Sequence, residues 1–257
     1  MSKKSSSDRR LSRNPLDLFF AKYKSEGIVT EAERIEGNMR RIRIRSEELD
    51  QLSYQPGQHV RIQIRDPLSL YGILRPSETL RTYTIWDYTV PACSFELRIH
   101  LYDGDGIGLN WARHVSPGDH VTFWGPMGDF VIQPAPYYVF AAEETGSVAT
   151  GAMIRSLAPS EIVYGALEFA SERDEMPIPG AEHLQRVYRN GDSPVSSRKL
   201  LTAIEKLDLP ALPGAAYVAG EAQTCGLIML HLIRERGWPR NAVKVKPFWT
   251  PGKRGLH

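Results

Sequence analysis

A change of sequence pattern near residue 134 constrains the fold of this chain more than any other feature. Before it, apolar and polar residues alternate in short runs punctuated by Pro and Gly, as at residues 39–45 and 59–65. After it, continuous apolar runs such as residues 137–142 alternate with helical patterns. Alternation is typical of antiparallel strands with one exposed face, whereas continuous apolar runs are typical of parallel strands covered on both faces. We therefore predict an antiparallel β-barrel followed by a doubly wound α/β domain.

The periodicity also places the individual elements. Barrel strands are predicted at residues 39–45, 59–65, 81–88, 95–101 and 121–124. The second half should contain strands at 137–142, 161–169, 215–219 and 243–249, with helices after residue 148, at 197–207 and at 221–236. We accordingly divide the chain into a flexible basic tail (1–25), a barrel domain (26–133) and a nucleotide-type α/β domain with a C-terminal tail (134–257). Ligands of such sheets bind at the carboxyl ends of the strands, so we expect the site in the cleft between the halves.

Composition excludes several classes of function. The net charge is only +2, from 32 basic and 30 acidic residues, and gives no electrostatic argument for binding nucleic acid. Cys93 and Cys225 lie far apart, so a zinc or iron–sulfur site built from cysteine is not expected, and we predict no bound metal. Residues 1–13 lack the apolar core of a secretion signal, and no apolar run has the length of a membrane span. We expect a cytoplasmic protein without stable membrane insertion.

The segment Arg81-Thr82-Tyr83-Thr84 is the first candidate for chemistry. On a strand, Arg81 and Tyr83 share one face and Thr84 points to the other. A flavin needs a cation for its pyrophosphate, an aromatic plane against its ring and a hydrogen-bond partner near N5. Arg81, Tyr83 and Thr84 supply these in that order. Alternating Thr and aromatic residues are also ordinary strand composition, so the pattern alone leaves a purely structural strand open.

The Gly-rich segment at residues 103–112 is the second candidate. Its glycines would let backbone amides approach a phosphate, and a helix predicted to start at residues 110–114 would favour an anion at its N-terminus. Asp103 and Asp105 stand two residues apart as in a calcium loop, but the later carboxylates of such a loop are absent. A plain hairpin turn remains open.

Taken in order, these features resemble the siderophore-interacting protein family of FAD-dependent ferric-siderophore reductases, a branch of the ferredoxin-reductase superfamily. The resemblance covers most of the chain after about residue 25. It rests on the flavin-type segment, a strand ending in His100, the Gly-rich loop before Trp111-Ala112, Pro117-Gly118-Asp119, Trp124-Gly125-Pro126, Glu143-Glu144-Thr145, residues 217–221 and Phe248-Trp249. Each motif is short, and their order and spacing together carry the resemblance.

The resemblance implies FAD as cofactor and assigns residues to it. Arg81, Tyr83 and Thr84 keep the roles derived above, His100 would lie near the adenine, and Thr145 would approach the isoalloxazine from the α/β domain. A phosphate-binding turn would be formed by Gly108, Leu109, Asn110 and Trp111, and a nicotinamide donor is expected near Gly220 and Glu221. From the residues alone, His100 could also line the cleft without a role, and Glu221 could be a helix N-cap.

The activity implied by the resemblance is reduction of a ferric siderophore. NAD(P)H would reduce FAD, and FAD would deliver electrons to Fe(III), so that iron leaves as Fe(II). Candidate cations for an anionic siderophore are Lys244, Lys246, Lys253 and Arg254, although lysines on an edge strand also protect against aggregation. Two alternatives stay open: reduced ferredoxin as the donor, and a siderophore-binding flavoprotein without turnover. Ser171 and Arg173 offer a weak argument for NADPH, because they could receive its 2′-phosphate.

The chain departs from the family pattern at two places. The flavin motif commonly continues with an arginine two residues after its threonine, but here that residue is Trp86. One pyrophosphate or substrate contact is therefore in doubt. The Gly-Pro pair that commonly precedes the Trp-Ala turn is Gly106-Ile107 here. Neither change removes a reacting group.

Overall fold

An antiparallel barrel forms the first half of the molecule. The computed structural model describes residues 24–65 and 79–253, so most of the expected basic tail and Arg254 lie outside the described residues. The barrel strands are β1 (Lys24–Ile35), β2 (Met39–Arg45), β3 (His59–Gln63), β4 (Leu80–Thr89), β5 (Ser94–His100) and β6 (His120–Met127). These strands of the described chain close in the order β1-β2-β5-β4-β3-β6, and every neighbouring pair is antiparallel. The predicted barrel is confirmed.

Alternating apolar side chains fill the inside of the barrel. Ile42 of β2 and Leu97 of β5 are fully buried and occupy paired positions on neighbouring strands. The rings of Phe95 and Phe123 pack edge to face with their centroids 5.1 Å apart. The opposite face of β2 carries arginines, so one strand serves both the core and the surface, as its alternating sequence predicts.

A short helix, α1 (Ile107–His114), packs against the same core through Leu109 and Ala112. It begins at Ile107 instead of at the expected residue 110, because the Gly-rich segment itself forms the first helical turn. The backbone amide of Asn110 donates to the carbonyl of Gly106, which closes that turn. The helix N-terminus is thereby brought to the edge of β4 and β5.

The second half is a parallel α/β domain. Its elements are β7 (Tyr138–Ala142), α2 (Glu144–Ile154), β8 (Val163–Phe169), β9 (Gln185–Tyr188), α3 (Arg198–Glu205), β10 (Ala215–Glu221), α4 (Ala222–Leu230) and β11 (Val243–Trp249). The strands pair in parallel in the order β11-β10-β7-β8-β9. All of β7 and β10 is buried, which explains their continuous apolar sequences.

Helices cover both faces of this sheet, as expected for a doubly wound domain. On the face toward the barrel, Val148 and Met153 of α2 pack against Phe140 and Tyr217. On the other face, apolar residues of α3 and α4 form a separate core with β7 and β10. None of the helices in residues 24–65 and 79–253 combines the length and the apolar character needed to cross a bilayer.

The sequence pattern did not reveal two strands. β1 has only a short alternating stretch followed by charged and half-exposed residues, and β9 is a four-residue, partly exposed edge strand. The last long helix is also interrupted, because α4 ends at Leu230 and continues as a π-helical turn over His231–Glu235. Short or charged strands carry a weak apolar period, so their pairing is evident only in three dimensions.

The two halves share one apolar core, which sets the position of the cleft between them. Trp86 of β4 is 4% exposed and packs with Phe130 and Met153 in the core that also contains the barrel-facing side of the sheet. Its ring lies directly on α2 at Gly151, where an added Cβ would come within 2.3 Å of Trp86 Cζ3. The ring of Trp86 therefore occupies the space that a side chain at position 151 of α2 would need, so that only glycine fits there.

Candidate functional site

A cavity of about 540 Å³ opens between the barrel and the α/β domain. It is bounded by β4, β5 and the start of α1 on one side, and by the start of α2 and the segment after β11 on the other. Of the predicted site residues, those lining it are Arg81, Tyr83, Thr84, His100, Gly108, Leu109, Thr145 and Lys253. The cavity thus lies in the cleft where the sequence places it. Asn110, Trp111, Gly220, Glu221, Lys244 and Lys246 are not among its lining residues.

Tyr83 lies at the wall formed by β4 and α1. Its ring stacks on Trp111, with centroids 5.5 Å apart and an interplanar angle of 28°. Its Oη is buried and has no hydrogen-bond partner in the described part of the chain, and burial raises the pKa of the phenol. A Cβ at Gly108 would come within 2.5 Å of Tyr83 Oη and 2.7 Å of Arg81 Cγ. Gly108 is therefore what allows α1 to approach the flavin-type segment this closely.

Trp111 and Asn110 belong to the same helix but do not line the cavity. Trp111 supports Tyr83 from behind, so it contributes through the tyrosine ring. Asn110 is exposed, and its carbonyl bonds to the imidazole Nδ1 of His114 at 2.8 Å. Of the expected phosphate-binding turn, Gly108 and Leu109 line the cavity.

His100 ends β5 on the adjoining wall. Its ring lies 6.3 Å from that of Tyr102, centroid to centroid, and both residues line the cavity. Burial lowers the pKa of His100 below its ordinary value of 6.5, against the raising effect of Glu144 and Asp174. The imidazole is consequently neutral at pH 7 and offers a flat polar ring rather than a charge.

The opposite wall is built around Glu143, a buried carboxyl at the start of α2. Glu143 Oε2 accepts a hydrogen bond from the Thr145 amide at 3.0 Å, and Glu143 Oε1 accepts from the Thr145 hydroxyl. Trp249 Nε1, at the end of β11, donates to the same Oε1 at 3.2 Å. This carboxyl therefore ties the aromatic end of β11 to the threonine that faces the barrel. The sequence shows Glu143, Thr145 and Trp249 as separate motifs and does not show that they are in contact.

Glu143 should make stability depend on pH. Burial, and next the charge of Glu144, raise the pKa of Glu143 from 4.5 to about 8. Between pH 4.5 and pH 8 the carboxyl of Glu143 is protonated in the folded protein but ionised in the unfolded chain. The free energy of unfolding of the wild type therefore falls as pH rises through this range. Glu143→Gln mimics the protonated carboxyl and cannot titrate. Its free energy of unfolding relative to wild type should increase from pH 4.5 to pH 8, by at most about 1.4 kcal/mol per pH unit. Urea titrations across this range test it, and a pH-independent difference would contradict it.

A buried ionic network lies below the same wall. Arg189 donates to both carboxylate oxygens of Glu144, at 2.9 and 2.5 Å, and to Glu168 at 3.3 Å. Glu168 also accepts from the hydroxyl of Ser197. Glu144 and Arg189 line the cavity, although the sequence interpretation gave Arg189 no role. Because Arg189 follows β9, a strand that the pattern did not reveal, no local signal connects it to the site.

Gly220 and Glu221 end β10 behind this wall. Glu221 is fully buried and caps α4, accepting from the amides of Gln223 at 2.9 Å and Thr224 at 2.8 Å. This is the N-cap role that the sequence left open. Gly220 has a φ of +133° and leaves room for Glu143, since an added Cβ would come within 2.6 Å of Glu143 Oε1. In this structure both residues support the wall from behind.

The basic residues proposed for substrate are divided. Lys253 lines the cavity, whereas Lys244 and Lys246 lie on β11, the edge strand of the sheet. Lys246 is close enough to the barrel to act on His59: burial first, then the charges of Lys246 and Arg61, lower the pKa of His59 to about 4. Lys246 therefore lies beside the contact between the barrel and the α/β domain.

A second group of titratable residues lies far from this cavity. The potential ligand atoms of Glu205, His231 and Glu235 come within 4.8 Å of one another. Both ring nitrogens of His231 are already engaged, Nδ1 with Glu235 at 2.8 Å and Nε2 with Arg236 at 3.0 Å. The adjacent guanidinium disfavours a cation, so this group does not support a metal site.

Comparison with known families covers both halves of the chain. Residues 26–132 match the family described as oxidoreductase FAD-binding domain. Residues 135–252 match the family described as siderophore-interacting protein. The boundary between the two matches falls at the change of sequence pattern near residue 134.

Relatives and solved structures agree with these matches. An uncharacterized protein of Mycobacterium tuberculosis is 27% identical over 190 residues, which are 68% of this chain and 66% of that protein, just under two thirds of its length. A siderophore utilization protein from T. fusca superposes with a TM-score of 0.78 at 25% identity, covering 91% of this chain and 95% of that one. The ferredoxin reductase in carbazole 1,9a-dioxygenase has the same fold, with a TM-score of 0.64 at 16% identity over 88% of this chain and 66% of that one.

Proposed function

Since this chain belongs to the siderophore-interacting protein family and carries an FAD-binding oxidoreductase domain, we propose that it is an FAD-dependent ferric-siderophore reductase. It takes electrons from NAD(P)H and releases iron from the siderophore as Fe(II). The observation that supports this most strongly is the cavity between the halves, which brings Arg81, Tyr83 and Thr84 of the barrel together with Thr145 of α2.

The residues of the cavity fit an FAD. Tyr83 presents a buried hydroxyl with no partner among the described residues, in contact with a glycine that brings a helix N-terminus against it. A cation, Arg81, and a neutral imidazole, His100, line the same space. FAD is an elongated molecule with a pyrophosphate in its middle and an aromatic ring at each end. The cation of Arg81 suits the pyrophosphate, and the rings of Tyr83 and His100 suit the two aromatic ends.

Each residue then has a stated task. Arg81 binds the pyrophosphate, the ring of Tyr83 flanks the isoalloxazine, and His100 lies against the adenine. Thr84 and Thr145 hold the isoalloxazine edge from opposite domains. When bound, FAD supplies the acceptance of a hydride and the one-electron delivery to Fe(III), chemistry that no side chain of the protein provides. The protein orients the cofactor and limits the access of water to it.

We assign the domains by this division of labour. The barrel, residues 26–133, carries the cofactor, and the α/β domain, residues 134–257, receives the nicotinamide near the carboxyl ends of β7 and β10.

The choice of NADPH over NADH gains no support from Ser171, whose hydroxyl donates to Asp174 at 2.6 Å. A carboxylate at that position repels the 2′-phosphate that would mark NADPH.

The siderophore would approach from the side where the basic residues lie. Lys253 lines the cavity, and Lys246 and Lys244 continue the positive charge along β11. Oxygen-rich ferric chelates are often anionic, so these charges both attract the substrate and retain it beside the flavin. Arg254, the fourth candidate, lies outside the described residues.

Anaerobic reduction followed by addition of a ferric chelate tests this function. FAD-loaded protein is mixed with NADH, NADPH or reduced ferredoxin while the visible flavin absorbance is recorded. A ferric hydroxamate or catecholate is then added together with a chelator that forms a coloured Fe(II) complex. We expect bleaching by a nicotinamide, return of the flavin absorbance on adding the chelate, and formation of the Fe(II) complex.

The alternatives give different results in the same experiment. Rapid bleaching by ferredoxin with little bleaching by either nicotinamide would identify ferredoxin as the donor. Binding of the chelate without any trapped Fe(II), from flavin that is fully reduced, would identify a siderophore-binding flavoprotein and overturn the reductase proposal. Omitting the ferric chelate is the matched control for reoxidation by residual oxygen.

A further inference from the structure

Arg98 is one of three arginines that line the cavity, with Arg81 and Arg189, and it lies on β5 next to the flavin-type strand. Its guanidinium carbon lies 3.8 Å from the centroid of the Trp86 ring. Its Nε donates to Glu96 Oε1 at 2.9 Å. Its two Nη groups make no hydrogen bond to another described residue, and the side chain lines the same cavity as Arg81 and Thr84. Arg98 also lines the neighbouring surface cleft beside Trp86, so a flat, charged donor pair lies at the boundary of the cavity.

Arg98 shares its carboxylate partner with a second arginine. Glu96 is shared, because its other oxygen, Oε2, accepts from Arg43 at 2.9 Å. Arg43 has a further carboxylate, Glu31, 3.6 Å away, whereas Glu96 is the one ion-pair partner of Arg98 among the described residues. Burial lowers the pKa of Arg98, against the raising effect of Glu96, so the cation is held in a partly dehydrated place. An anionic ligand in the cavity would accept charge-assisted hydrogen bonds from the Nη groups of Arg98.

A neighbouring arginine on the same ring shows what a purely structural role looks like. Arg155, which follows α2, has its guanidinium carbon 4.8 Å from the Trp86 centroid. Its Nη1 donates to the Trp86 carbonyl at 3.1 Å and its Nη2 to Asp87 at 3.0 Å, so both groups are used. Arg155 lines a neighbouring surface cleft, which Arg98 also lines, and not the 540 Å³ cavity. Arg155 joins the two domains, whereas the two Nη groups of Arg98 make no hydrogen bond to another described residue.

We infer that Arg98 binds the pyrophosphate of the cofactor together with Arg81, and that Trp86 is the platform that holds its guanidinium in place. The inference rests on the proposed FAD site and adds a residue to it. It also gives a role to Trp86, the departure from the family pattern. The cation is supplied here from the adjacent strand, and the aromatic ring restricts its rotamers, so less freedom is lost when the phosphate binds.

The test is the affinity of the apo-protein for FAD compared with that for riboflavin, which lacks the phosphates. Both are titrated by the change in flavin fluorescence. Arg98→Gln should raise the Kd for FAD about tenfold or more, as expected for losing a charge-assisted contact, and should change the Kd for riboflavin less than about twofold. The matched control is Arg155→Gln, which removes the other cation over Trp86 and should leave both affinities unchanged.

The platform is tested separately. Trp86→Leu should raise the Kd for FAD in the same direction but by less than Arg98→Gln, and Trp86→Phe, which keeps a ring, should recover most of the affinity. Circular dichroism confirms folding of each variant, and Glu96 keeps Arg43 as a partner when Arg98 is replaced. Equal losses for FAD and riboflavin, or no loss for Arg98→Gln, would overturn the inference. If the wild-type protein binds neither ligand, the proposed function fails instead, independently of Arg98.

Discussion

Arg189→Met is expected to lower the free energy of unfolding by about 3–5 kcal/mol, because it leaves two buried carboxylates without their cation. The side chains of Glu144 and Glu168 are 2% and 0% exposed, and that of Arg189 is 8% exposed. Arg189 joins Glu144 at the start of α2 to Glu168 of β8, and the amide of Ala170 donates a further hydrogen bond to Glu144 at 2.5 Å. For a chain of this size the loss corresponds to a melting temperature lower by about 6–20 °C.

Thermal and urea unfolding at neutral pH measure this effect. The matched control is Lys24→Met, which breaks an ion pair whose side chains are 43% and 69% exposed and should change stability by less than about 1 kcal/mol. The double variant Glu144→Gln with Arg189→Met should recover part of the loss, since one buried charge is then absent. An Arg189→Met protein as stable as the control would show that the network is solvated and not buried.

Gly108→Ala is expected to weaken FAD binding by about 10- to 100-fold while the protein stays folded. The new Cβ would meet Tyr83 Oη at 2.5 Å and Arg81 Cγ at 2.7 Å, so the tyrosine must leave its stack on Trp111. A displaced aromatic plane and a disturbed phosphate contact together cost roughly 1–3 kcal/mol of binding free energy. Alanine favours a helix over glycine, so the helix itself should not be destabilised.

Fluorescence titration with FAD checks this prediction. The control is Gly226→Ala in α4, where no atom lies within 4 Å of the new Cβ and FAD affinity should be unchanged. Tyr83→Phe removes the oxygen that the new methyl group meets, so the double variant Gly108→Ala with Tyr83→Phe should bind FAD better than Gly108→Ala alone. Full affinity in Gly108→Ala would mean that this wall of the cavity does not contact the cofactor.

Local pattern was sufficient for much of the fold. The alternation at Ile42 and Ile44 reflects a strand buried on one face, and the continuous apolar run of β7 reflects a strand buried on both faces. Burial of this kind can be predicted from the sequence of a strand alone. β1 and β9 were missed because their stability comes from pairing with neighbours, which leaves little trace in their own residues. The π-helical turn after α4 likewise has no sequence period of its own.

The site was only partly predictable for the same reason. Arg81, Tyr83 and Thr84 could be proposed because their spacing on one strand is itself informative. The contact between Glu143 and Trp249 joins residues 106 positions apart, and Arg189 reaches Glu144 from 45 positions away. Trp86 could be recognised as a departure from the family pattern, but its partners, Gly151 and Arg98, come from elements that only the folded chain brings to it.

The claim on which the function depends is that this cavity binds FAD. Titration of FAD into the apo-protein, followed by flavin fluorescence, measures it most directly. We expect saturable binding of one FAD per chain, with ADP competing for the same site because it carries the adenine and the pyrophosphate. A protein that leaves the fluorescence unchanged and retains no flavin after gel filtration would contradict the proposed site and the reductase function with it.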